Sequence, residues 1–418
     1  MTRPRLRLLP AHAGRVSRAV ALGHPWIYDR ALGPTALPAG AVVEVHADAP
    51  LGCGFVDPTS PIRVRMLARD PAAIIDDGFC RARAAAAATR RRGQPALADT
   101  DAVRAIHGEN DALPGLTIDV YAGTAVVVFD GGAAAALWRP RLPAILAGLG
   151  DGGLAVRATW VRGVRGARGA DARDGGDGGP TVPIVEHGAR FTVDVRAGQK
   201  TGFFLDQRGN RARIAALAGG ARVLNLFAYT GGFSVAAGRA GAAAVTSVDI
   251  APAAIAAADR HWRDNGLPAD RHRAVAADCF DFLAAAAGRG ERWDVVVVDP
   301  PSFAASEAAR PAGLAAYQRL NLAALAVTSP GGLLVAASCS SHVTERDLRG
   351  VLAEVGAAAA RSLVVVEARG HDPDHPTLPA FPEGQYLKLL IAATGREIPQ
   401  RRERGRGHTP LEPNRRRR

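Results

Sequence analysis

From about residue 198 the chain alternates short apolar runs with stretches of helical character, and this alternation constrains the fold more than any other feature. Strands that alternate with helices along a chain form a parallel sheet with helices packed on its faces, so we expect an α/β fold. In such folds ligands bind in the crevice at the carboxyl ends of the strands, which makes the residues after each run the candidate site. The runs that predict strands are Arg222–Phe227, Ala244–Val248, Arg273–Ala277, Trp293–Val298 and Leu333–Ala337.

Acidic residues follow three consecutive runs, namely Asp249, Asp278 and Asp299. The first run is followed instead by a turn of mostly small residues, Ala228–Gly232, whose glycines let the backbone approach a ligand closely. An acidic residue at the end of the second strand holds ribose hydroxyls in nucleotide-binding α/β folds. The turn also fits dinucleotide binding, but it lacks the G-x-G-x-x-G spacing of that class. The three acidic strand ends therefore favour S-adenosylmethionine over NAD.

Two short strings after the later strands indicate the chemistry. In Asp299-Pro300-Pro301-Ser302-Phe303 the two prolines have a fixed φ, which gives a stiff loop suited to holding a flat base. Ser338-Cys339-Ser340 adds a thiol, intrinsically the strongest nucleophile among side chains. Together they predict an enzyme that methylates a nucleobase carbon through a transient covalent bond to Cys339.

Each of these residues also has a structural interpretation. Cys339 can be a small buried residue at a strand end, the common fate of cysteine. Asp299 can hold the N3/N4 edge of a base, or it can be a turn or helix-capping acid. Phe303 can stack on a flipped base or fill the core, and Trp26, near several arginines, can contact RNA or pack against other aromatic residues.

The pattern along the chain predicts four parts. Residues 1–75 form a β-rich unit like a short-stranded barrel, because apolar stretches are cut by Gly and Pro turns. Residues 76–195 form a small middle α/β unit, and its glycine-rich stretch 163–180 predicts a flexible loop or linker. Residues 196–394 form the larger α/β domain, and 395–418 a basic disordered tail. The elements predicted in the middle unit are helices over Asp76–Arg92 and Ala133–Leu149, strands at Ala102–His107, Leu116–Tyr121 and Thr124–Phe129, and a hairpin from Ile184 to Val195.

The charge and cysteine content narrow the class further. The net charge is +12, and half of it lies in Arg396–Arg418, which favours a polyanionic partner, although a solvating tail explains the same run. Of the 52 basic residues only Lys200 and Lys388 are lysines. Four cysteines without CxxC spacing predict neither a metal site nor disulfides, as in a reduced cytoplasmic compartment. We also expect no membrane-spanning segment, because no long uncharged apolar run occurs.

Several longer strings resemble the ribosomal RNA large-subunit methyltransferase I family, from about residue 5 to residue 393. The resemblance implies an N-terminal PUA domain, a small middle domain and a Rossmann-like class I methyltransferase domain. It also implies methylation of carbon 5 of a cytosine in 23S ribosomal RNA. The glycine-rich stretch and the arginine tail depart from the family pattern. The strings that carry the resemblance are His24–Tyr28, Asp111–Leu116, Gly198–Arg208, Leu226–Phe233, Asp299–Phe303, Ser338–Ser340, Asp374–Pro376 and Phe381–Lys388.

The resemblance and the strand-end pattern together assign roles to individual residues. Cys339 and Asp299 are the catalytic candidates. Large-subunit ribosomal RNA is the expected partner, no metal is expected, and the oligomeric state stays open, with a homodimer as one option. The candidates for binding S-adenosylmethionine are Lys200, Phe227, Tyr229, Gly231, Gly232, Asp249, Asp278 and Asp299. The candidates for contacting the RNA are Pro300, Phe303, Trp26 and Arg208.

Two rival functions remain at this point. The same fold can methylate a guanine nitrogen, for which a base-holding loop is needed but no thiol. From a different class, the chain can be a non-catalytic RNA-binding assembly factor that retains the fold. Cys339 distinguishes the first rival, and binding of S-adenosylmethionine distinguishes the second.

Overall fold

The computed structural model of the chain describes residues 3–164, 172–173 and 178–397. Most of the glycine-rich stretch 163–180 and nearly all of the predicted tail lie outside these described residues. No helix within them combines the length and the apolar character needed to cross a membrane. The described chain forms three sheets of five, five and seven strands and one separate hairpin.

The N-terminal part is a five-stranded sheet with one helix against it. Its core consists of buried aliphatic side chains such as Val43, Val45 and Val64. The sequence prediction of a β-rich unit overlooked the helix, which has no side-chain cap at its start and ends at Gly23 with φ of +108°. The elements are β1 (Arg5–Arg7), α1 (Pro10–Leu22), β2 (Trp26–Tyr28), β3 (Val42–His46), β4 (Pro50–Val56) and β5 (Ile62–Ala68), in the sheet order β1-β3-β4-β5-β2.

The middle part is a second five-stranded sheet with three helices. Strands β6 to β8 occupy the predicted residues, but the helix expected over Ala133–Leu149 is broken in two. The short 3-10 turn Arg139–Arg141 separates the two helices, because Pro140 cannot donate the hydrogen bond that a continuous helix needs. The elements are α2 (Asp77–Arg92), β6 (Ala102–His107), β7 (Leu116–Tyr121), β8 (Thr124–Phe129), α3 (Gly132–Trp138), α4 (Leu142–Asp151), β9 (Ala158–Val164) and β10 (Ala172–Arg173), in the sheet order β10-β9-β8-β7-β6.

A hairpin of β11 (Thr181–Glu186) and β12 (Ala189–Asp194) leads into the last part. Its two-residue turn has positive φ at both positions, +47° at His187 and +72° at Gly188, which matches the right-handed twist of the strands. Its buried side chains, among them Ile184 and Phe191, share a core with residues of both neighbouring parts.

The last part is the α/β domain that the alternating pattern predicted. The first five strands are parallel, and the final strand runs antiparallel between two neighbours. Helices α5 to α7 pack on one face and α8 to α10 on the other. The elements are α5 (Arg208–Leu217), β13 (Arg222–Leu226), α6 (Gly232–Arg239), β14 (Ala244–Asp249), α7 (Pro252–Asp264), β15 (His272–Ala276), α8 (Cys279–Gly288), β16 (Trp293–Val298), α9 (Arg310–Ala326), β17 (Thr328–Ser338), α10 (Glu345–Ala358), β18 (Arg361–Arg369) and β19 (Lys388–Glu397).

The strand order β15-β14-β13-β16-β17-β19-β18 reverses between β13 and β16. A crevice opens at the carboxyl edge of a sheet at such a reversal, so this is the expected position of a ligand. The domain boundary predicted at 394/395 lies inside β19, whose residues through Glu397 pair with β18.

Hydrogen bonds of buried charged residues join the middle part to the last domain. Arg208 is fully buried and donates to the carboxylates of Asp372, at 2.6 Å, and Asp374, at 3.1 Å. Asp374 also accepts from the backbone N–H of Arg104 in β6, at 2.9 Å. Arg91 of α2 donates to the backbone oxygen of Asp374, also at 2.9 Å. These contacts hold the segment after β18 against β6 and α2.

Candidate active site

The residues at the carboxyl ends of β13, β14, β16 and β17 line one cleft of about 190 Å³, as the strand pattern predicts. The segment before α5, residues 199–207, forms its opposite wall. Cys339, Asp299, Asp249 and Lys200 all lie on its surface. The full lining is Gln199, Lys200, Phe203, Phe204, Asp206, Gln207, Arg211, Phe227, Ala228, Tyr229, Thr230, Gly232, Phe233, Asp249, Ile250, Asp299, Pro300, Pro301, Cys339 and Leu387.

The turn after β13 is strained and tightly packed. Phe227 and Tyr229 have φ of +55° and +46°, in the left-handed region that side chains other than glycine rarely adopt. Gly231, at +82°, lies so close to α7 that a Cβ atom there would come within 2.8 Å of the Ala258 Cβ. Backbone strain of this kind persists where the surrounding structure imposes it and is concentrated at ligand sites.

The Asp249 carboxylate holds this turn in place. One oxygen accepts from the Tyr229 backbone N–H at 2.8 Å, and the other accepts from the Ala251 backbone N–H at 2.9 Å. Each oxygen has a further lone pair that can accept a hydrogen bond from a ribose hydroxyl. Beside it, the Ile250 side chain is 71% exposed, an apolar surface that a flat purine ring can cover. These residues fit the nucleoside half of S-adenosylmethionine.

Asp278, predicted to bind the cofactor, has a different role in the structure. Its side chain is exposed and caps α8, accepting from the backbone N–H groups of Phe280, at 2.8 Å, and Asp281, at 3.2 Å. It does not belong to the lining of the cleft. The expected contact with the cofactor therefore remains a prediction without support from this geometry.

The thiol of Cys339 and the loop that begins at Asp299 face each other at the inner end of the cleft. The Cys339 side chain is half-buried, and its Sγ lies 4.0 Å from the backbone oxygen of Pro300. The Ser340 hydroxyl, which donates to the Ala304 backbone oxygen at 2.6 Å, ties the two loops together. Burial and the Asp299 carboxylate raise the pKa of the Cys339 thiol, so it is protonated in the free protein.

The two carboxylates beside the thiol have opposite pKa shifts. Burial and the neighbouring Asp206 carboxylate raise the pKa of Asp299 to about 6. Burial also works to raise the pKa of Asp206, but the Lys200 ammonium at 2.6 Å and the Tyr386 hydroxyl at 2.8 Å outweigh it and lower that pKa. The Gln207 amide donates to Asp299 at 2.9 Å. Beside the thiol, Asp206 is thus held as an anion, whereas Asp299 titrates near neutral pH.

Two of the candidate RNA contacts, Arg208 and Trp26, lie outside the lining of the cleft. The prediction that Arg208 contacts the substrate is wrong, because its side chain is fully buried among the acidic residues described above. Trp26 joins two parts of the chain: its indole N–H donates to Glu109 at 2.7 Å, and its ring lies 4.6 Å from that of Phe381. Contact of Trp26 with RNA stays a prediction.

Pro300 and Phe303, the two candidate RNA contacts in the loop after β16, lie in different surroundings. Pro300 lines the cleft, and its contact with the RNA stays a prediction. Phe303 does not, and its ring packs at 4.9 Å against Tyr317 of α9, which supports the alternative of core packing.

Sequence reasoning assigned no role to Asp206, Gln207, Tyr386 and Ile250. Asp206, Gln207 and Ile250 line the cleft, and the Tyr386 hydroxyl donates to Asp206 from outside that lining. The only signal for the first two was their position inside the string Gly198–Arg208. In the described ranges, no cluster of three or more His, Cys, Asp or Glu side chains is arranged to hold a metal ion.

Comparison with known proteins agrees with this geometry. The sequence model of the S-adenosylmethionine-dependent methyltransferase family matches residues 168–390, and that of a PUA-like domain matches residues 13–69. A ribosomal RNA large subunit methyltransferase of Deinococcus radiodurans is 39% identical over 412 residues, which cover 93% of this chain and 97% of that protein. The ribosomal RNA large subunit methyltransferase I of Shewanella denitrificans is 35% identical over 398 residues, 93% of this chain and 98% of that protein.

Solved structures show the same fold. SMU.776, crystallised in complex with SAH, superposes with a TM-score of 0.81 at 23% identity and covers 94% of this chain and 100% of its own. A protein from Streptococcus mutans described as a SAM-dependent methyltransferase has a TM-score of 0.80 at 22% identity, covering 93% of this chain and 100% of its own. At this identity the likeness establishes the fold alone.

Proposed function

Because the chain belongs to the family of S-adenosylmethionine-dependent ribosomal RNA large-subunit methyltransferases, we propose that it methylates carbon 5 of a cytosine in that RNA through a covalent bond from Cys339 to carbon 6. The observation that supports this chemistry is the meeting of a thiol and a carboxyl group of raised pKa at the inner end of the cleft. S-adenosylmethionine supplies a methyl group on a positively charged sulfur.

The thiol is required because carbon 5 of cytosine is a poor nucleophile. As the Cys339 thiolate forms a bond to carbon 6, the electron pair of the C5–C6 double bond moves to carbon 5, which can then accept the methyl group. Loss of the proton from carbon 5 restores the double bond and breaks the bond to sulfur. The cysteine leaves the cycle unchanged, which is the general pattern of covalent catalysis.

Asp299 is suited to stabilise the base during this addition. A carboxyl group with a pKa of about 6 can hold a proton against cytosine N3 and accept a hydrogen bond from the N4 amino group. Pro300 and Pro301, which line the cleft directly after it, fix the backbone that presents this carboxyl group. We assign the cofactor to the other end of the cleft, against Phe227, Tyr229, Gly232 and Asp249.

The substrate cytosine must leave any base stack to reach this cleft. That step requires a few kcal/mol unless the base is already unpaired, which favours RNA that is not fully folded or assembled. The N-terminal part and the excess of arginine would supply phosphate contacts.

The test uses large-subunit RNA in which cytosine is replaced by 5-fluorocytosine. The fluorine cannot leave as a proton does, so the reaction stops at the covalent stage. We expect an RNA–protein adduct that survives denaturation and requires S-adenosylmethionine, and no adduct with Cys339→Ala. Cys279→Ala, which removes a buried cysteine of the same domain, is the matched control and should still form it.

Nucleoside mass spectrometry of unmodified RNA distinguishes the rivals. A methylated guanosine, with no adduct in the 5-fluorocytosine experiment, would replace cytosine-C5 methylation by the guanine-nitrogen alternative. Failure to bind S-adenosylmethionine in calorimetry would instead favour a non-catalytic assembly factor.

A further inference from the structure

The two lysines of this chain have an unusual distribution. Arginine occupies all but two of its 52 basic positions. Lys200 lines the cleft, and Lys388 begins β19 directly opposite Ser338, the residue before Cys339. Arginine and lysine differ in that the ammonium group is compact and can have its pKa lowered by burial, whereas a guanidinium cannot be deprotonated in proteins. Both lysines of a chain that otherwise uses arginine thus lie near enough to Cys339 to interact with it electrostatically.

Lys388 is a buried cation attached to the cysteine loop. Its side chain is 8% exposed, and its Nζ donates to the backbone oxygen of Ser340, the residue after Cys339. A second hydrogen bond goes to the backbone oxygen of Tyr386 at 2.8 Å. Within the described residues, no carboxylate lies at salt-bridge distance from this ammonium. Buried charges usually have such a partner, so the positive charge of Lys388 lacks the usual structural explanation.

We propose that Lys388 is a positioning residue for Cys339, which stabilises the thiolate with its positive charge and fixes the loop through the Ser340 carbonyl. The inference deepens the proposed function, since it rests on Cys339 as the nucleophile. It explains how a thiol in an acidic surrounding can become a thiolate, because the Asp299 and Asp206 carboxylates disfavour that form.

The charged groups around the Cys339 thiol shift its pKa in both directions. Asp299 and Asp206 raise the pKa of Cys339, Lys200 lowers it, and Tyr317, whose own pKa is raised by burial, is neutral. Burial lowers the pKa of Lys388 to about 8, against the opposing effects of Cys339 and Asp347. Lys388 therefore still carries its charge at neutral pH.

The experiment measures the rate at which iodoacetamide alkylates Cys339 from about pH 6 to about pH 10, without RNA or S-adenosylmethionine. Trypsin releases this residue in the peptide 320–346, which contains no other cysteine, so mass spectrometry follows it alone. For Lys388→Met and Lys388→Gln we expect the profile to move to higher pH. Since one pKa unit is a tenfold change in thiolate, alkylation at pH 7.5 should fall about tenfold. Lys388→Gln keeps a donor for the backbone oxygens, so a shift in this variant reports charge rather than hydrogen bonding.

Two further variants complete the test. Lys388→Arg keeps the charge and should alkylate within about threefold of the wild type. Arg361→Met removes another buried cation that donates to backbone oxygens, those of Leu325 and Thr328, but at the opposite end of β17. It should lower the melting temperature and leave the alkylation profile unchanged.

A profile for Lys388→Gln that superposes on the wild type would overturn the proposal, and so would an equal shift in Arg361→Met. The readout is independent of methyl transfer. If the 5-fluorocytosine adduct fails to form while the alkylation profile shifts as expected, the proposed function is wrong and the link from Lys388 to the thiol stands.

Discussion

At the scale of single residues, two aspartates of the cleft have pKa values shifted in opposite directions, because their surroundings differ. Asp206 is held ionised by the Lys200 ammonium and the Tyr386 hydroxyl. Among the described residues, the Gln207 amide is the one hydrogen-bond donor to the Asp299 carboxylate, and burial together with the nearby Asp206 charge raises the pKa of Asp299 to about 6. The residue that is suited to hold a proton is thus the one with fewer partners.

Asp299→Asn should stabilise the fold, and the gain should grow with pH. Because the pKa in the folded state is raised, the stability that Asp299 contributes is present at low pH and is lost as the pH rises from about 4 through about 6. We expect the free energy of unfolding of the variant to exceed that of the wild type by about 1–2 kcal/mol more at pH 8 than at pH 4. Denaturant titrations at both pH values measure it.

The control variant is Asp347→Asn, for which we expect the opposite change in stability. The pKa of Asp347 is lowered, chiefly by the hydrogen bonds of Thr344 and Arg310 acting against burial, so its contribution is present at high pH and lost in acid. Asp347→Asn should therefore destabilise the protein at pH 8. If the gain in unfolding free energy for Asp299→Asn did not depend on pH, the pKa of Asp299 would not be raised in the folded protein.

Asp249→Ala should weaken S-adenosylmethionine binding and leave RNA affinity unchanged. A hydrogen bond to a charged group contributes about 1.5–3 kcal/mol, so the Kd measured by calorimetry should rise by at least about tenfold. The anchor of the strained turn is lost as well. Asp259→Ala, which removes an exposed carboxylate on α7, is the matched control. Normal cofactor binding by Asp249→Ala would refute the assignment of this strand end.

At the scale of elements, the turn between β13 and α6 depends on two glycines that the sequence places side by side. Gly231 needs its positive φ and the close approach of α7, and a Cβ at Gly232 would lie 2.9 Å from the Arg211 Cδ. The turn can therefore bring its backbone to a ligand only while these positions lack side chains.

Gly231→Ala and Gly350→Ala should change stability in opposite directions. The first forces a side chain into the left-handed region and against Ala258, so we expect a loss of about 1–3 kcal/mol and weaker cofactor binding. The second lies inside helix α10 with open space around it and should stabilise by about 0.4–1 kcal/mol. Thermal unfolding of both variants checks the pair. Equal effects would show that the turn is not constrained as described.

At the scale of the whole molecule, buried charges hold the α/β domain against the middle part. Asp374→Ala should leave Arg208 buried with one partner fewer and cost about 3–5 kcal/mol of unfolding free energy. Removing Glu345 from its exposed pair with Arg349 should change stability by less than about 1 kcal/mol. Chemical denaturation measures both, and a small effect at Asp374 would mean that this network does not couple the two parts.

Removing residues 398–418 should weaken RNA binding without slowing turnover at saturating RNA. The segment has eight arginines against two glutamates, half of the net charge, and β19 stays intact. Because each neutralised phosphate changes the salt slope by about 0.7–0.9, the dependence of affinity on salt should flatten. Filter binding across a salt series tests this. An unchanged slope would leave the segment as a solubilising appendage.

The sequence by itself determined the α/β fold, the positions of β6 to β8 and the strand ends that meet in the cleft. Local patterns suffice for the strands and turns, because the apolar period and the turn residues act over a few residues. The general rule that ligands bind at the carboxyl ends of parallel strands then predicts which residues meet in the cleft. The same patterns predict that Cys339 and Asp299 lie beside each other.

Only the tertiary structure decided which charged residues are buried and which groups they pair with. The sequence alone suggests that Arg208 is an available cation, yet in the structure it pairs with Asp372 and Asp374, more than 150 positions away. The sequence shows Lys388 as the last residue of the string Phe381–Lys388, and only the structure shows that its ammonium donates to the backbone oxygen of Ser340 beside Cys339. Burial and electrostatic partners arise from segments distant in the chain, so no local pattern can encode them.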